Sequence, residues 1–166
     1  AVTERRCAVQ DGVAGGEAQV SRGRNPERPF VLIAQPSAAD PSRAPEGKAV
    51  LWGYCHVPNG STGDRTEAIE AQIERFAPGF RDLILARSVR PPTVVAADNP
   101  NSPGGDISGG SLAGLGLIAR PRLTFHPYAT GNPALWICSA STPPGAGVHG
   151  MCGLHAGLAV LAGPLA

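Results

Sequence analysis

Glycine and proline occupy 22 and 17 of the 166 positions, and they fall between apolar runs rather than in one tract. Each interruption ends regular structure, because glycine loosens the backbone and proline removes a hydrogen-bond donor. A chain punctuated this way folds into short elements joined by loops. At about 23% of the residues the pair stays below the roughly 25–30% at which low complexity becomes the default reading, so the pattern is that of a loop-rich globular segment. The length suits one domain, or one part of a larger protein, and allows a buried core.

Charge excludes one class of partner. Fourteen Lys and Arg stand against 13 Asp and Glu, a formal net charge of +1. Arg5, Arg6, Arg22, Arg24 and Arg28 are interleaved with Glu4, Asp11, Glu17 and Glu27, so no basic face is offered to a nucleic acid. Trp52, Tyr54, Tyr128 and Trp136 are too scattered for a base-stacking surface. The longest mostly apolar stretch, Gly153 to Ala166, is interrupted by His155 and falls short of the ~20 residues of a spanning helix, so no integral membrane segment is expected. Cys7, Cys55, Cys138 and Cys152 form no CxxC pair and are too sparse for a disulfide framework. They read as reduced, buried thiols in an intracellular protein, cytoplasmic or alternatively of the mitochondrial matrix.

Along the chain, residues 1–27 read as an irregular connecting segment. Pro29 to Ala34 and Ala49 to Val57 read as strands, joined by a proline-rich loop from Gln35 to Gly47; with no helix between them, they form an antiparallel pair. Asp64 to Phe76 is a helix: Asp64 caps it in a capping-box spacing with Glu67, and Ile69, Ile73 and Phe76 line one face. Glu67, Glu70 and Glu74 form its solvated face. Asp82 to Arg90 reads as a third strand ended by Pro91 and Pro92. Asp98 to Gly116 is a long loop whose Gly104-Gly105-Asp106 and Gly109-Gly110 suit close approach of backbone to a ligand. Gly114 to Ala119 loosely matches a dinucleotide fingerprint, but no strand leads into it and Pro121 follows, so the match is rejected.

Chemistry concentrates near the end. Leu135 to Cys138 reads as a short strand, Ser139 to Gly150 as a loop of small residues, and Met151 to Leu161 as a helix. Met151, Leu154, Leu158 and Leu161 form its apolar stripe, and Gly153 and Gly157 permit close packing. Strand, glycine loop and helix together aim backbone N–H groups and a helix dipole at an anion, with Ser139, Ser141 and Thr142 adding hydroxyl donors. Composition alone leaves open whether this turn binds a ligand or nothing.

The residues Ser139-Ala-Ser-Thr-Pro-Pro-Gly-Ala-Gly-Val-His-Gly-Met151 resemble the C-terminal flavin-binding motif of phytoene-dehydrogenase-like FAD-dependent oxidoreductases. The nearest subgroup is that of pyridine nucleotide-disulfide oxidoreductase domain-containing protein 2. Asn99 to Gly110 and Phe76 to Arg87 resemble two further segments of that subgroup, in the same order, so the likeness runs from about Arg28 to Leu161. The resemblance implies FAD as cofactor, contacted by Ser139, Ala140, Gly147, Val148, His149, Gly150 and Met151. It implies an α+β and α/β architecture, in which an antiparallel substrate-side sheet with a helix (28–133) precedes the last strand, loop and helix of a Rossmann-like FAD domain (134–166). It further implies oxidation of a C–H bond of an apolar or amphipathic substrate, as in phytoene desaturases and amine oxidases. His149 and Asp106 are the candidates for an acid or base. No strand-embedded GxGxxG opens the chain, so the resemblance implies the trailing portion of a longer flavoprotein, inactive and self-associating in isolation. The alternative is a non-catalytic interaction module without FAD.

Two rival readings of the same residues are weaker. His149, Cys152 and His155 have zinc-type donors, but their three-residue steps spread over about 120° of a helix and match no usual zinc pattern. A serine hydrolase would need a nucleophile elbow around Ser139 or Ser141 and an acid later in the chain, and neither is present.

Overall fold

The computed structural model describes residues 2–111 and 114–163, with backbone alone for 2–11 and 117. The Cys7 side chain, residues 112–113 of the long glycine loop and residues 164–166 of the apolar tail lie outside this description. The chain divides into two compact units, Ala1–Thr93 and Val94–Ala166.

The first unit opens with helix α1 (Val2–Ser21), where an irregular segment was expected. The helix lacks a continuous apolar stripe, which hid it from periodicity. Its Ala, Gln, Glu, Arg and Val residues nonetheless sustain helical backbone. Buried Gly16 lets the helix lie against the 26–30 segment: a Cβ there would sit 3.8 Å from the Arg28 carbonyl oxygen. Strands β1 (Val31–Ala34) and β2 (Trp52–Cys55) pair antiparallel in the register Val31–Cys55, Leu32–Tyr54, Ile33–Gly53 and Ala34–Trp52. Both are shorter than their apolar runs. The proline-rich connection holds one turn of helix α2 (Pro36–Ala39) and a 3₁₀ turn (Pro41–Arg43), the latter started by Asp40, whose carboxylate accepts from the Ser42 N–H at 3.1 Å.

Helix α3 (Thr66–Phe76) starts where Asp64 accepts from the Thr66 N–H at 2.8 Å and its hydroxyl at 2.6 Å. Gln72 pins the helix to the hairpin by donating to the Pro29 carbonyl at 2.9 Å. The capping box is absent because Arg65 and not Asp64 takes the N-cap position, which moves Glu67 out of its register, and the acidic face is not a merely solvated one. Glu67 pairs with Arg81 at 2.7 Å, Glu70 with Arg87, and Glu74 accepts from the N–H groups of Gly79 and Arg81 at 2.6 and 2.9 Å. These bonds strap residues 79–87 along α3, and the expected strand from Asp82 to Arg90 does not form. Its start is a 3₁₀ turn (Arg81–Leu83), and no neighbouring strand offers a ladder among the described residues. Pro92 opens helix α4 (Pro92–Asp98), using proline's fixed φ in a first turn.

In the second unit a 3₁₀ turn (Pro103–Gly105), helix α5 (Leu115–Ile118) and helix α6 (Met151–Ala162) are linked by turns. The expected strand Leu135 to Cys138 is reduced to a single bridge between Ala129 and Trp136, with the Ile137 N–H donating to the Tyr128 carbonyl at 2.8 Å. Only that short backbone lies beside it, so no longer ladder is available. α6 turns its small-residue side inward: Ala156 is buried and Cys152 and Ala159 half-buried. Leu154, Leu158 and Leu161 are exposed, and a Cβ on Gly153 or Gly157 would meet nothing within 4 Å.

Among the described residues the buried apolar side chains are Pro26, Pro29 and Ala156, while Ser102, Arg120 and Thr142 are buried polar ones. The chain exposes 11879 Å². Two separate compact bodies of half its mass would together expose about 9,300 Å². Apolar faces here lack a cover. No helix among the described residues is long and apolar enough to cross a membrane.

Candidate functional site

The second unit is organised around one side chain. Arg120 is 3% exposed and its guanidinium meets backbone carbonyls only. Nη1 donates to Ser111 at 2.9 Å, Gly116 at 3.4 Å and Gly110 at 3.5 Å. Nη2 donates to Ala140 at 2.6 Å, Ser108 at 2.8 Å and Gly109 at 3.0 Å. A planar fork with four terminal N–H groups is the side chain that can serve so many carbonyls at once. The two glycine-rich segments singled out in the sequence thus meet on one buried cation.

Asp106 completes this girdle. Its carboxylate accepts from the Ser108 N–H at 2.7 Å and the Gly110 N–H at 2.6 Å, so both oxygens hold their own loop. The peptide joining Gly109 to Gly110 consequently has its carbonyl on Arg120 and its N–H on Asp106. Gly109 has φ +67°, and a Cβ there would lie 2.5 Å from Ser141 Oγ and 2.8 Å from Ser141 N. The close approach that glycine permits serves another stretch of the same chain. With both oxygens so engaged, Asp106 holds its own loop in place.

The expected cofactor residues fall into two groups. Ser139 is exposed; its N–H donates to Thr142 Oγ1 at 3.1 Å and its Oγ accepts from the Ser141 N–H at 3.0 Å. Ala140 is half-buried through its bond to Arg120. Thr142 is fully buried, and its hydroxyl donates back to the Ser139 carbonyl at 2.9 Å. Gly147, Val148, His149 and Gly150 form an exposed rim. Gly150 (φ +66°) opens α6 in the left-handed region, and Met151, half-buried, is the first helical residue. His149 folds back so that Nδ1 accepts the Met151 N–H at 3.0 Å. That acceptor role leaves the proton on Nε2, which lies beside Gly147. A Cβ on Gly147 would sit 2.6 Å from the His149 ring, so a side chain there displaces the ring from this position.

The two groups are joined by Cys152, whose thiol lies 3.4 Å from the Gly145 carbonyl and 3.6 Å from that of Thr142. Tyr128 supports the loop from behind, donating to the Pro143 carbonyl at 3.1 Å; burial raises its phenol above the ordinary value. His155 stacks on the Tyr128 ring at 6.5 Å instead of joining His149 and Cys152. No group of three or more His, Cys, Asp and Glu among the described residues is arranged to hold a metal ion. Cys55, Cys138 and Cys152 are free thiols.

Arg120 escaped sequence reasoning because its ligands are main-chain carbonyls, which leave no side-chain pattern. A signal was present: after Asp106 the chain contains only two charged residues, Arg120 and Arg122. Charge in so neutral a stretch needs a structural reason.

Among proteins of known name, the chain is similar to pyridine nucleotide-disulfide oxidoreductase domain-containing protein 2 of Mus musculus, 29% identical over 143 residues. That alignment covers 78% of this chain and 24% of the mouse protein. The Rattus norvegicus protein of the same name is 28% identical over 142 residues, with the same coverage. The 4,4'-diapolycopen-4-al dehydrogenase of Metabacillus indicus is 38% identical over 74 residues, 40% of this chain and 15% of that enzyme. The chain therefore spans about a quarter of the length of the first two relatives, and it is distantly related to proteins named as oxidoreductases. No family model and no solved structure matches it.

Proposed function

We propose that the chain is the C-terminal portion of an FAD-dependent oxidoreductase of the phytoene-desaturase and amine-oxidase kind, and that residues 139–151 lie against the flavin end of the cofactor. The observation that carries this reading is the 143-residue likeness to a protein named as an oxidoreductase. The chemistry of the loop supports it: an exposed glycine rim precedes a helix N-terminus.

FAD, when bound, supplies the hydride-accepting chemistry for oxidation of a substrate C–H bond. The chain supplies position and electrostatics. The hydroxyl of Ser139 and the opening N–H groups of α6 at Cys152 and Gly153 would hold acceptor oxygens of the cofactor, and the helix dipole favours negative charge there. Val148, fully exposed at the rim, offers apolar contact to a planar ring. His149 places an Nε2–H donor beside it. The substrate is apolar or amphipathic, bound by the portion of the chain from 28 to 133, with residues 134–166 on the FAD side.

The test is Gly147→Val in the complete flavoprotein. The added side chain strikes the His149 ring, so flavin stoichiometry falls well before far-UV helix content does. Flavin stoichiometry equal to that of the unmodified protein would remove the loop from the cofactor. A second reading, a non-catalytic interaction module without FAD, is favoured by one observation: Leu154, Leu158 and Leu161 are exposed on α6. The visible spectrum of the purified protein with added FAD separates the two.

A further inference from the structure

We propose that Arg120 is the positioning residue of the flavin loop, setting the direction in which the Ala140–Ser141 peptide faces and so which atoms the loop shows to its ligand. The inference rests on the assignment of residues 139–151 to flavin and extends it to a residue outside that motif.

The geometry gives the direction. Nη2 draws the Ala140 carbonyl inward at 2.6 Å, and the same nitrogen holds Ser108 and Gly109. With that carbonyl turned in, the Ser141 N–H donates to Ser139 Oγ, and the Ser141 hydroxyl lies against Gly109. The loop therefore hides the Ala140 carbonyl from a ligand. Reversal of this one peptide would turn that acceptor outward and change the pattern the loop offers.

Arg120 is itself held in place. Asp106 fixes the Ser108 and Gly110 N–H groups, and the Gly109–Gly110 peptide carries that hold to the guanidinium. Gly109 then presses on the Ser141 backbone, leaving room for one placement. The fork is needed as well as the charge. One nitrogen serves Gly110, Ser111 and Gly116; the other serves Ser108, Gly109 and Ala140. A lysine ammonium, a single point, reaches one of these sets and not both.

The test uses the 166-residue chain with Arg120→Met, Arg120→Lys and Asp106→Asn. Backbone amide exchange is followed at 108–110 and 139–145, and ligand binding is read by flavin fluorescence with FAD and with riboflavin as probes. In Arg120→Met, exchange rises at least tenfold in both segments while amides of α3 keep their rates. Arg120→Lys restores protection only in part, since its ammonium serves one set of carbonyls and leaves the other without a donor. Binding of both probes weakens about tenfold in either variant, and Asp106→Asn acts in the same direction with a smaller change. Unchanged exchange at 139–145 in Arg120→Met overturns the positioning role, whether or not a probe binds. A loosened loop with unchanged binding of both probes overturns the proposal together with the assignment of the loop to flavin. Full rescue by Arg120→Lys shows that charge alone acts and overturns the role of the fork.

Discussion

Both units secure a loop without a large apolar core, and they do so with opposite electrostatics. In the first, the carboxylates of α3 reach outward to residues 79–87; in the second, the cation of Arg120 gathers carbonyls inward. Arg81 and Arg87 are well exposed, 37% and 50%, so water and salt compete for them. Such pairs contribute little each and are screened. Around Arg120 no water competes, and removal of the fork leaves inward-facing carbonyls without donors. A buried girdle costs more to break than a surface strap, although both look like comparable sets of hydrogen bonds. The girdle lies under the candidate cofactor loop, and the strap only fixes a connection.

Four changes separate the two devices, and each unit carries one tryptophan, Trp52 or Trp136, as its reporter. Arg120→Met has the largest effect. In a Trp52→Phe background the urea transition seen by Trp136 loses about 3 kcal/mol or more, since several acceptors are stranded at roughly 1–3 kcal/mol each. In a Trp136→Phe background the Trp52 transition stays put; equal loss in both signals would erase the distinction between the units. Gly109→Ala comes next. Its methyl meets the Ser141 backbone at a φ reserved for glycine, and the Trp136 transition falls by roughly 1–3 kcal/mol.

The third change is acidification. Side-chain bonding from Arg87 holds the Glu70 carboxyl below its ordinary value, and the N–H groups of Arg81 and Gly79 do the same for Glu74. Groups lowered on folding contribute stability above the unfolded carboxylate value of about 4.3, and lose it as pH falls through their lower folded values. The strap therefore opens below that range. Side-chain NMR signals of Arg81 and Arg87 report the release, while the Arg120 signal holds. Simultaneous loss of all three signals would contradict the separation. Glu70→Gln at neutral pH is the smallest change: the Trp52 midpoint moves slightly, and less again in high salt. A salt-insensitive shift would mean that packing, and not charge, fastens residues 79–87.

What the sequence revealed follows a physical rule. Local periodicity exposed β1, β2, α3 and α6, because alternation and i, i+4 spacing are written in neighbouring residues. It failed for α1, whose apolar residues make no stripe, and for Leu135 to Cys138, which has strand composition but only Tyr128 and Ala129 beside it. Asp82 to Arg90 failed because its start winds into a 3₁₀ turn that Glu74 holds from the Gly79 and Arg81 N–H groups, a tertiary fact. The candidate site was half legible. The glycines of Ser139 to Met151 stood out, and so did Asn99 to Gly110. That Gly109 presses on Ser141, and that one arginine holds both segments, depends on main-chain carbonyls no sequence pattern displays. The inward turn of Ala156, with Leu154, Leu158 and Leu161 left outside, reverses the usual reading of an apolar stripe.

The account's central claim is that this chain is the flavin-end portion of a flavoprotein whose pyrophosphate cradle is contributed by other residues. A titration of the 166-residue chain with FAD, followed by flavin fluorescence beside size-exclusion chromatography, tests it most directly. The predicted result is weak FAD binding by a self-associating protein, because on the proposed reading the pyrophosphate is held by other residues and Leu154, Leu158 and Leu161 of α6 lie exposed. Tight one-to-one FAD binding by a clean monomer would contradict the account.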